Sequence, residues 1–131
     1  MKILIVDDNA RIRKIIRINL ARLGGQLEQV VECDDGERAV ELFDALHPDW
    51  VLMDVRLPAM NGLEATRRII REHPGANVLI VTQHDESVYR EEARAAGARG
   101  FVLKEHIDTI PAILLGEISP FDIAAEDTRL T

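Results

Sequence analysis

Residues 2–9 read Lys2-Ile3-Leu4-Ile5-Val6-Asp7-Asp8-Asn9, an aliphatic run that stops abruptly at two carboxylates and an asparagine. A run that is apolar throughout, not alternating, predicts a strand covered on both faces, as in a parallel sheet. Asn9 suits a helix cap, and the residues after it keep a helical period. Ile12, Ile15, Ile16, Ile18, Leu20 and Leu23 would face inward. Arg11, Arg13, Lys14, Arg17 and Arg22 are then a solvated face, and Gly24-Gly25 ends the helix. A strand thus hands over directly to a helix, and the same unit recurs along the chain.

Further strands are predicted over 27–32, 50–54, 77–82 and 100–103, each short and rich in Val, Ile or Leu. Helical patterns separate them. One runs over 37–46 with Ala39, Val40, Phe43 and Leu46 inward, and His47-Pro48 stops it. The next starts near Gly62, carries Leu63, Ala65, Thr66, Ile69 and Ile70 inward, and ends at His73-Pro74-Gly75. A fourth, over 86–96, is polar with a thin apolar side of Val88, Ala93 and Ala96 before Gly97, so it should be the least firmly packed. The fifth is expected to be capped by Asp108 and to carry Ile110, Ile113, Leu114 and Leu115 up to Gly116. Strict β-α alternation with short connections predicts right-handed crossovers. The fold is therefore expected to be an α/β three-layer α/β/α sandwich, with a five-stranded parallel sheet in the flavodoxin-like order 2-1-3-4-5.

The 131 residues, 47% hydrophobic and 30% charged, suffice for one domain, placed at 1–116. An acidic tail follows over 117–131, either disordered or one short extra helix with Ser119 as cap and Pro120 at its first position. The first apolar run is too short for a signal peptide and no later one could span a bilayer, so a cytoplasmic chain is expected. A net charge of −7 argues against direct nucleic-acid binding. The one cysteine, Cys33, excludes an internal disulfide and a thiolate metal cluster, and no redox role is expected of it.

In such a sheet, ligands bind beyond the carboxyl ends of the central strands. Asp7 and Asp8 follow the first strand and Asp54 ends the third. Like charges converging from adjacent strands need a cation to offset them. All-oxygen donors without histidine or cysteine point to a hard ion, and Mg²⁺, which binds one or two carboxylates and keeps several waters, suits an open cluster. Thr82 and Lys104 end the fourth and fifth strands on the same rim. A hydroxyl and an ammonium beside a metal-bound carboxylate make a cradle for a phosphoryl group.

With these residues in place, the chain resembles the receiver domains of two-component response regulators over roughly residues 2–116. The stretches that carry the resemblance are residues 3–9 (ILIVDDN), 49–62 (DWVLMDVRLPAMNG), 78–83 (VLIVTQ) and 97–104 (GARGFVLK). It implies a phosphorylation-dependent switch and not an enzyme in the turnover sense. Asp54 would be the phosphoacceptor, promoting its own phosphorylation and dephosphorylation. Mg²⁺ would be held by Asp7, Asp8, Asp54 and the backbone carbonyl of Arg56, with Thr82 and Lys104 on the phosphoryl oxygens. The donor would be a phosphohistidine on a sensor histidine kinase or phosphotransfer protein, and the recipient of the signal an output domain or protein. A homodimer on phosphorylation is compatible with the resemblance.

Phe101 stands where receivers carry an aromatic that turns inward as the threonine moves. Strand alternation puts it with Leu103, on the face opposite Val102 and Lys104, so it would transmit toward the fourth helix. The resemblance implies that Arg56 and His84, two residues after the phosphoacceptor and the threonine, would govern water access and hence dephosphorylation. Two departures stand out. Glu105 replaces the proline that often follows the lysine, making a cis peptide unfavourable there. The fifth helix also meets Gly116 early, which bears on the face formed by the fourth helix, fifth strand and fifth helix. No output domain follows within the 131 residues.

Other classes fit poorly. An aspartyl-nucleophile phosphatase would pair Asp54 with an aspartate two residues on, where Arg56 stands. No Gly-rich loop ending in Gly-Lys-Ser or Gly-Lys-Thr supports a P-loop nucleotidase. His47, His73, His84 and His106 are scattered over different loops and helix ends, which argues against a zinc site. The remaining alternative is a receiver-like interaction module that is never phosphorylated.

Overall fold

The computed structural model describes residues 1–83 and 87–121. Five strands, β1 (Lys2–Val6), β2 (Gln29–Cys33), β3 (Trp50–Met53), β4 (Val78–Thr82) and β5 (Gly100–Leu103), form one parallel sheet. Its order is β2-β1-β3-β4-β5, as the alternation predicts. The connecting helices are α1 (Ala10–Leu20), α2 (Gly36–Leu46), α3 (Gly62–Glu72), α4 (Ser87–Ala95) and α5 (Ile110–Leu114).

The pleat sorts the strand residues between two cores. Leu4, Val6, Val51, Met53, Val78, Ile80, Phe101 and Leu103 pack with α2, α3 and α4. Ile3, Ile5, Leu52, Leu79, Val81 and Val102 pack with α1 and α5. Burying each such aliphatic side chain contributes about 1.5–3 kcal/mol, which is why the strands read as unbroken apolar runs. The thin apolar side of α4 is confirmed in part: Ala93 and Ala96 are buried, while Val88 is 51% exposed. The predicted start of that helix at residue 86 lies outside the described residues.

Several local expectations are corrected. Asn9 caps α1 through its side chain, but the helix gives way to a 3-10 segment, Ala21–Gln26, with Gly24 at φ 56. That segment delays β2 to Gln29, because the Leu27 N–H is spent on the Gly24 carbonyl. Ile15 and Ile18 are 39% and 62% exposed, so the apolar stripe of α1 is narrower than its isoleucine count suggests. A single helix abuts only one sheet face, and Ile16 and Leu20 already fill that contact. Asp108 does not cap α5. A 3-10 segment, Lys104–Thr109, precedes the helix, Thr109 is its cap without a side-chain bond, and Pro111 sits in the first turn.

The start of the tail packs against the sheet. Ile118 joins the core beside α1 and α5, and Phe121 the core on the other face, with the Arg94 guanidinium 3.8 Å above its ring. The Phe101 N–H donates to the Pro120 carbonyl at 3.4 Å. This crossing covers part of the β5 edge, which otherwise offers unpaired backbone groups. Gly100 permits it: a Cβ there would lie 2.1 Å from the Pro120 Cβ. Ser119 and Pro120 are not helical, and residues beyond 121 lie outside the described set.

Candidate functional site: an acidic pocket at the strand ends

β1 and β3 are neighbours in register, with Val6 opposite Met53, so the next residue on each strand falls at the same rim. The Asp54 N–H donates to the Val6 carbonyl at 2.9 Å, fixing the two strand ends together. Asp7 and Asp54 are 2% and 5% exposed, whereas Asp8 is exposed. One ligand oxygen from each of the three carboxylates lies within 4.8 Å of the others.

Lys104, just past β5, reaches across this cluster. Its Nζ is 2.9 Å from Asp7 Oδ2 and 3.2 Å from Asp54 Oδ2. Burial, followed by the charge of Asp7, pushes the Asp54 carboxyl above its ordinary value, against the pull of Lys104 and of the Val55 N–H. Burial draws the Lys104 ammonium down, but its hydrogen bonds and charge contacts with Asp7 and Asp54 more than offset this and hold it raised. Two buried carboxylates therefore share one ammonium, with the exposed Asp8 carboxylate close by, which is an arrangement that favours a further cation.

The backbone supports each acid. Asp7 Oδ1 accepts from the Asn9 N–H at 2.9 Å, and the Arg13 guanidinium donates to the Asp7 carbonyl at 2.6 Å while pairing with Glu32. Asp54 Oδ1 accepts from the Val55 N–H at 2.8 Å. The loop after Asp54 folds back on it: the Gly62 N–H donates to the Val55 carbonyl at 2.8 Å, and Asn61 caps α3 through the Leu63 N–H. Gly62 is the one residue type that fits, because a Cβ there would lie 1.8 Å from the Asp54 carbonyl oxygen. Ala59 takes a positive φ of 63°, closing the tight loop between Pro58 and Asn61.

Thr82 ends β4 fully buried. Phe101 is 1% exposed on the α4 side, with the Arg90 guanidinium 5.2 Å from its ring centroid. Arg56 is exposed beside the pocket, its guanidinium 3.5 Å from the Tyr89 hydroxyl. His84 lies outside the described residues. A cleft of about 210 Å³ opens over the acids, lined by Asp8, Asn9, Asp54, Arg56, Gln83 and Lys104. Asn9 and Gln83 had no predicted place there; their only signal was adjacency to Asp8 and Thr82. Cys33 is half-buried and burial pushes its thiol up to about 11, which leaves it protonated and unreactive at neutral pH.

The four histidines are not all scattered. His47 and His73 end α2 and α3, and their rings meet 5.5 Å apart at the opposite end of the sheet. Sequence distance hid this, since 26 residues separate positions whose helices pack side by side. No helix among the described residues is long and apolar enough to cross a membrane.

Transcriptional regulatory protein DegU of Brevibacillus brevis is 39% identical over 105 residues, which cover 80% of this chain and 44% of that protein. Response regulator GacA of Pseudomonas syringae pv. syringae is 38% identical over 127 residues, covering 92% of this chain and 59% of GacA. The chain thus spans about half the length of these relatives. A crystal structure of a LuxR-family two-component response regulator from Aurantimonas sp. SI85-9A1 superposes with a TM-score of 0.81 at 37% identity, covering 99% of this chain and 98% of that one. The family model for the response regulator receiver domain matches residues 3–114, the span that builds both cores and the acidic rim, and the chain belongs to that family.

Proposed function

We propose that Asp54 accepts a phosphoryl group from a phosphohistidine on a sensor histidine kinase or phosphotransfer protein. In that transfer a carboxylate oxygen of Asp54 forms the new bond to phosphorus as the bond to the donor imidazole nitrogen breaks. The observation that carries the reading is the pair of buried carboxylates, Asp7 and Asp54, bridged by the Lys104 ammonium at 2.9 and 3.2 Å. Asp54 faces the cleft that a donor must enter, and its burial excludes competing water from all but that side.

The donor set suits Mg²⁺: three carboxylates with two buried, no nitrogen or sulfur ligand among them, and an open cleft that leaves room for waters. Asp7, Asp8, Asp54 and the Arg56 carbonyl would hold the ion, which when bound offsets the charge that builds up on the phosphoryl oxygens. Lys104 would exchange its contact with Asp54 for one to a phosphoryl oxygen, and the Thr82 hydroxyl would donate to another. Phe101, buried between β5 and α4, would carry the movement of Thr82 to α4, the helix with the thinnest apolar side.

Residues 1–116 would form the switching unit, with 117–121 crossing the β5 edge. The chain would act in the cytoplasm as a phosphoacceptor that also assists its own dephosphorylation. Its output would pass to another domain or protein, with dimerisation on phosphorylation as one route, and not through nucleic-acid contacts of its own acidic surface. Incubation with acetyl phosphate and Mg²⁺, followed by intact-mass measurement, should show a gain of one phosphoryl group that Asp54→Ala abolishes. No gain on the wild-type chain would favour the unphosphorylated interaction module instead, and a gain that persists on Asp54→Ala would move the acceptor elsewhere.

A further inference from the structure

A second cluster of metal-ligating side chains lies at the end of the sheet away from Asp54. His73, the cap residue of α3, places Nε2 2.7 Å from Asp44 Oδ1 on α2, and one oxygen of Glu72 lies within 4.8 Å of both. His47, the cap residue of α2, brings a second imidazole against the first, with centroids 5.5 Å apart and planes at 86°. Two imidazoles on one tetrahedral zinc, at about 2.0–2.1 Å per bond, place their ring centroids about 5 Å apart. The His47–His73 spacing is close to that. The Asp44–His73 contact needs to open from 2.7 Å to about 3.3 Å for both atoms to share an ion. Asp44, with a side chain 58% exposed, is free to make that adjustment.

The electrostatics point the same way. Both histidines sit at helix C-termini, where the backbone dipoles present partial negative charge and favour a cation. The last turn of α2 carries no basic residue, while that of α3 carries Arg71. Phe43 lies beneath, 4.7 Å from the His73 ring, so the imidazoles rest on an apolar floor and are held in place. A cleft of about 460 Å³ opens here, lined among others by Phe43, His47, Glu72 and His73. The neighbouring Asp49 is already engaged, since Asp49 Oδ2 accepts from the Lys2 N–H at 2.6 Å. Mixed imidazole and carboxylate donors select a borderline ion such as Zn²⁺, in contrast to the all-oxygen set at Asp54.

We infer that His73, Asp44 and Glu72 form a zinc-class divalent metal site that ties the C-terminal end of α2 to that of α3, separate from the acidic pocket, with His47, whose ring nitrogens stand outside that trio, turning in as the fourth donor. The test is a Zn²⁺ titration of the full chain against a chromophoric chelator in excess Mg²⁺, which occupies the acidic pocket. It is repeated on Asp54→Ala, His73→Gln, His47→Gln and Asp44→Asn, with Co²⁺ as a paramagnetic probe of the imidazole resonances. One equivalent of Zn²⁺ should bind the wild type and Asp54→Ala alike, and Co²⁺ should broaden the His47 and His73 signals before that of His106. His73→Gln should weaken binding by about 100-fold, and His47→Gln and Asp44→Asn by about 10-fold or more. Each variant's fold is checked by circular dichroism. Absence of binding, equal binding by folded His73→Gln, or loss of binding in Asp54→Ala would each overturn the assignment.

Discussion

Replacing Asp54 by asparagine removes one buried charge while keeping the side chain's shape, and the pocket geometry sets what should follow. The repulsion between two carboxylates whose oxygens lie within 4.8 Å is about 3.5 kcal/mol or more at an effective dielectric of 20. The attraction of Asp54 to Lys104 at 3.2 Å is about 5 kcal/mol on the same scale. The difference, under about 2 kcal/mol in favour of the charge, is opposed by a desolvation cost of several kcal/mol for a carboxylate so little exposed. The upward displacement of the Asp54 carboxyl shows that burial and Asp7 together win. Lys104 keeps its 2.9 Å contact with Asp7 in the variant, so no ammonium is orphaned.

Without divalent ions at neutral pH, Asp54→Asn should therefore be more stable than the wild type by about 1–2 kcal/mol, or about 3–10 °C in Tm for a chain of this length. The sign with pH follows from the same displacement. A carboxyl whose folded-state pKa is raised costs stability when ionised, so the wild type regains that stability as pH falls through the folded pKa toward 3.8. The advantage of the variant should shrink over that window. Adding Mg²⁺ should reverse the order, since an ion at one hundred times its Kd stabilises the wild type by about 2.7 kcal/mol and the variant lacks one of its ligands. Thermal unfolding in chelator and in Mg²⁺, across pH, measures all three. A variant less stable than the wild type in chelator, or stabilised equally by Mg²⁺, would refute this account of the pocket.

Gly62→Ala should destabilise the chain by about 3 kcal/mol or more in urea unfolding, since the new methyl overlaps the Asp54 carbonyl at 1.8 Å and the fixed strand end cannot retreat; a change under about 0.5 kcal/mol would contradict the close approach. On full phosphorylation, hydrogen exchange should change across residues 87–100 as well as in the pocket, and unaltered exchange there would count against coupling through Thr82 and Phe101. The phosphoryl group should be long-lived, because Arg56 and His84 offer neither a carboxylate nor an amide to orient the attacking water. Loss of label in excess Mg²⁺ should be faster in the Arg56→Asn, His84→Glu double variant, and equal rates would remove that role.

How much of this was legible in the sequence depended on the range of the interaction that decides each feature. The parallel sheet followed from alternation, because each apolar run had to be buried on both faces and each crossover had to be right-handed, and the flavodoxin-like order was the natural choice for five strands. The convergence of Asp7 with Asp54 followed in turn, since both extend adjacent central strands by one residue. What failed was decided by tertiary packing. Ile15 and Ile18 carry the right period, yet α1 meets only one face of the sheet and Ile16 and Leu20 occupy it. Asp108 has the chemistry of a cap, but the 3-10 turn beginning at Lys104 sets where α5 can start, and that turn follows the lysine that must reach back to Asp7 and Asp54. The pairing of His47 with His73 had no local signal either, because it arises where α2 and α3 end side by side. The same packing that gathers three carboxylates at one end of the sheet brings His73, Asp44 and Glu72 together at the other, with the His47 ring alongside.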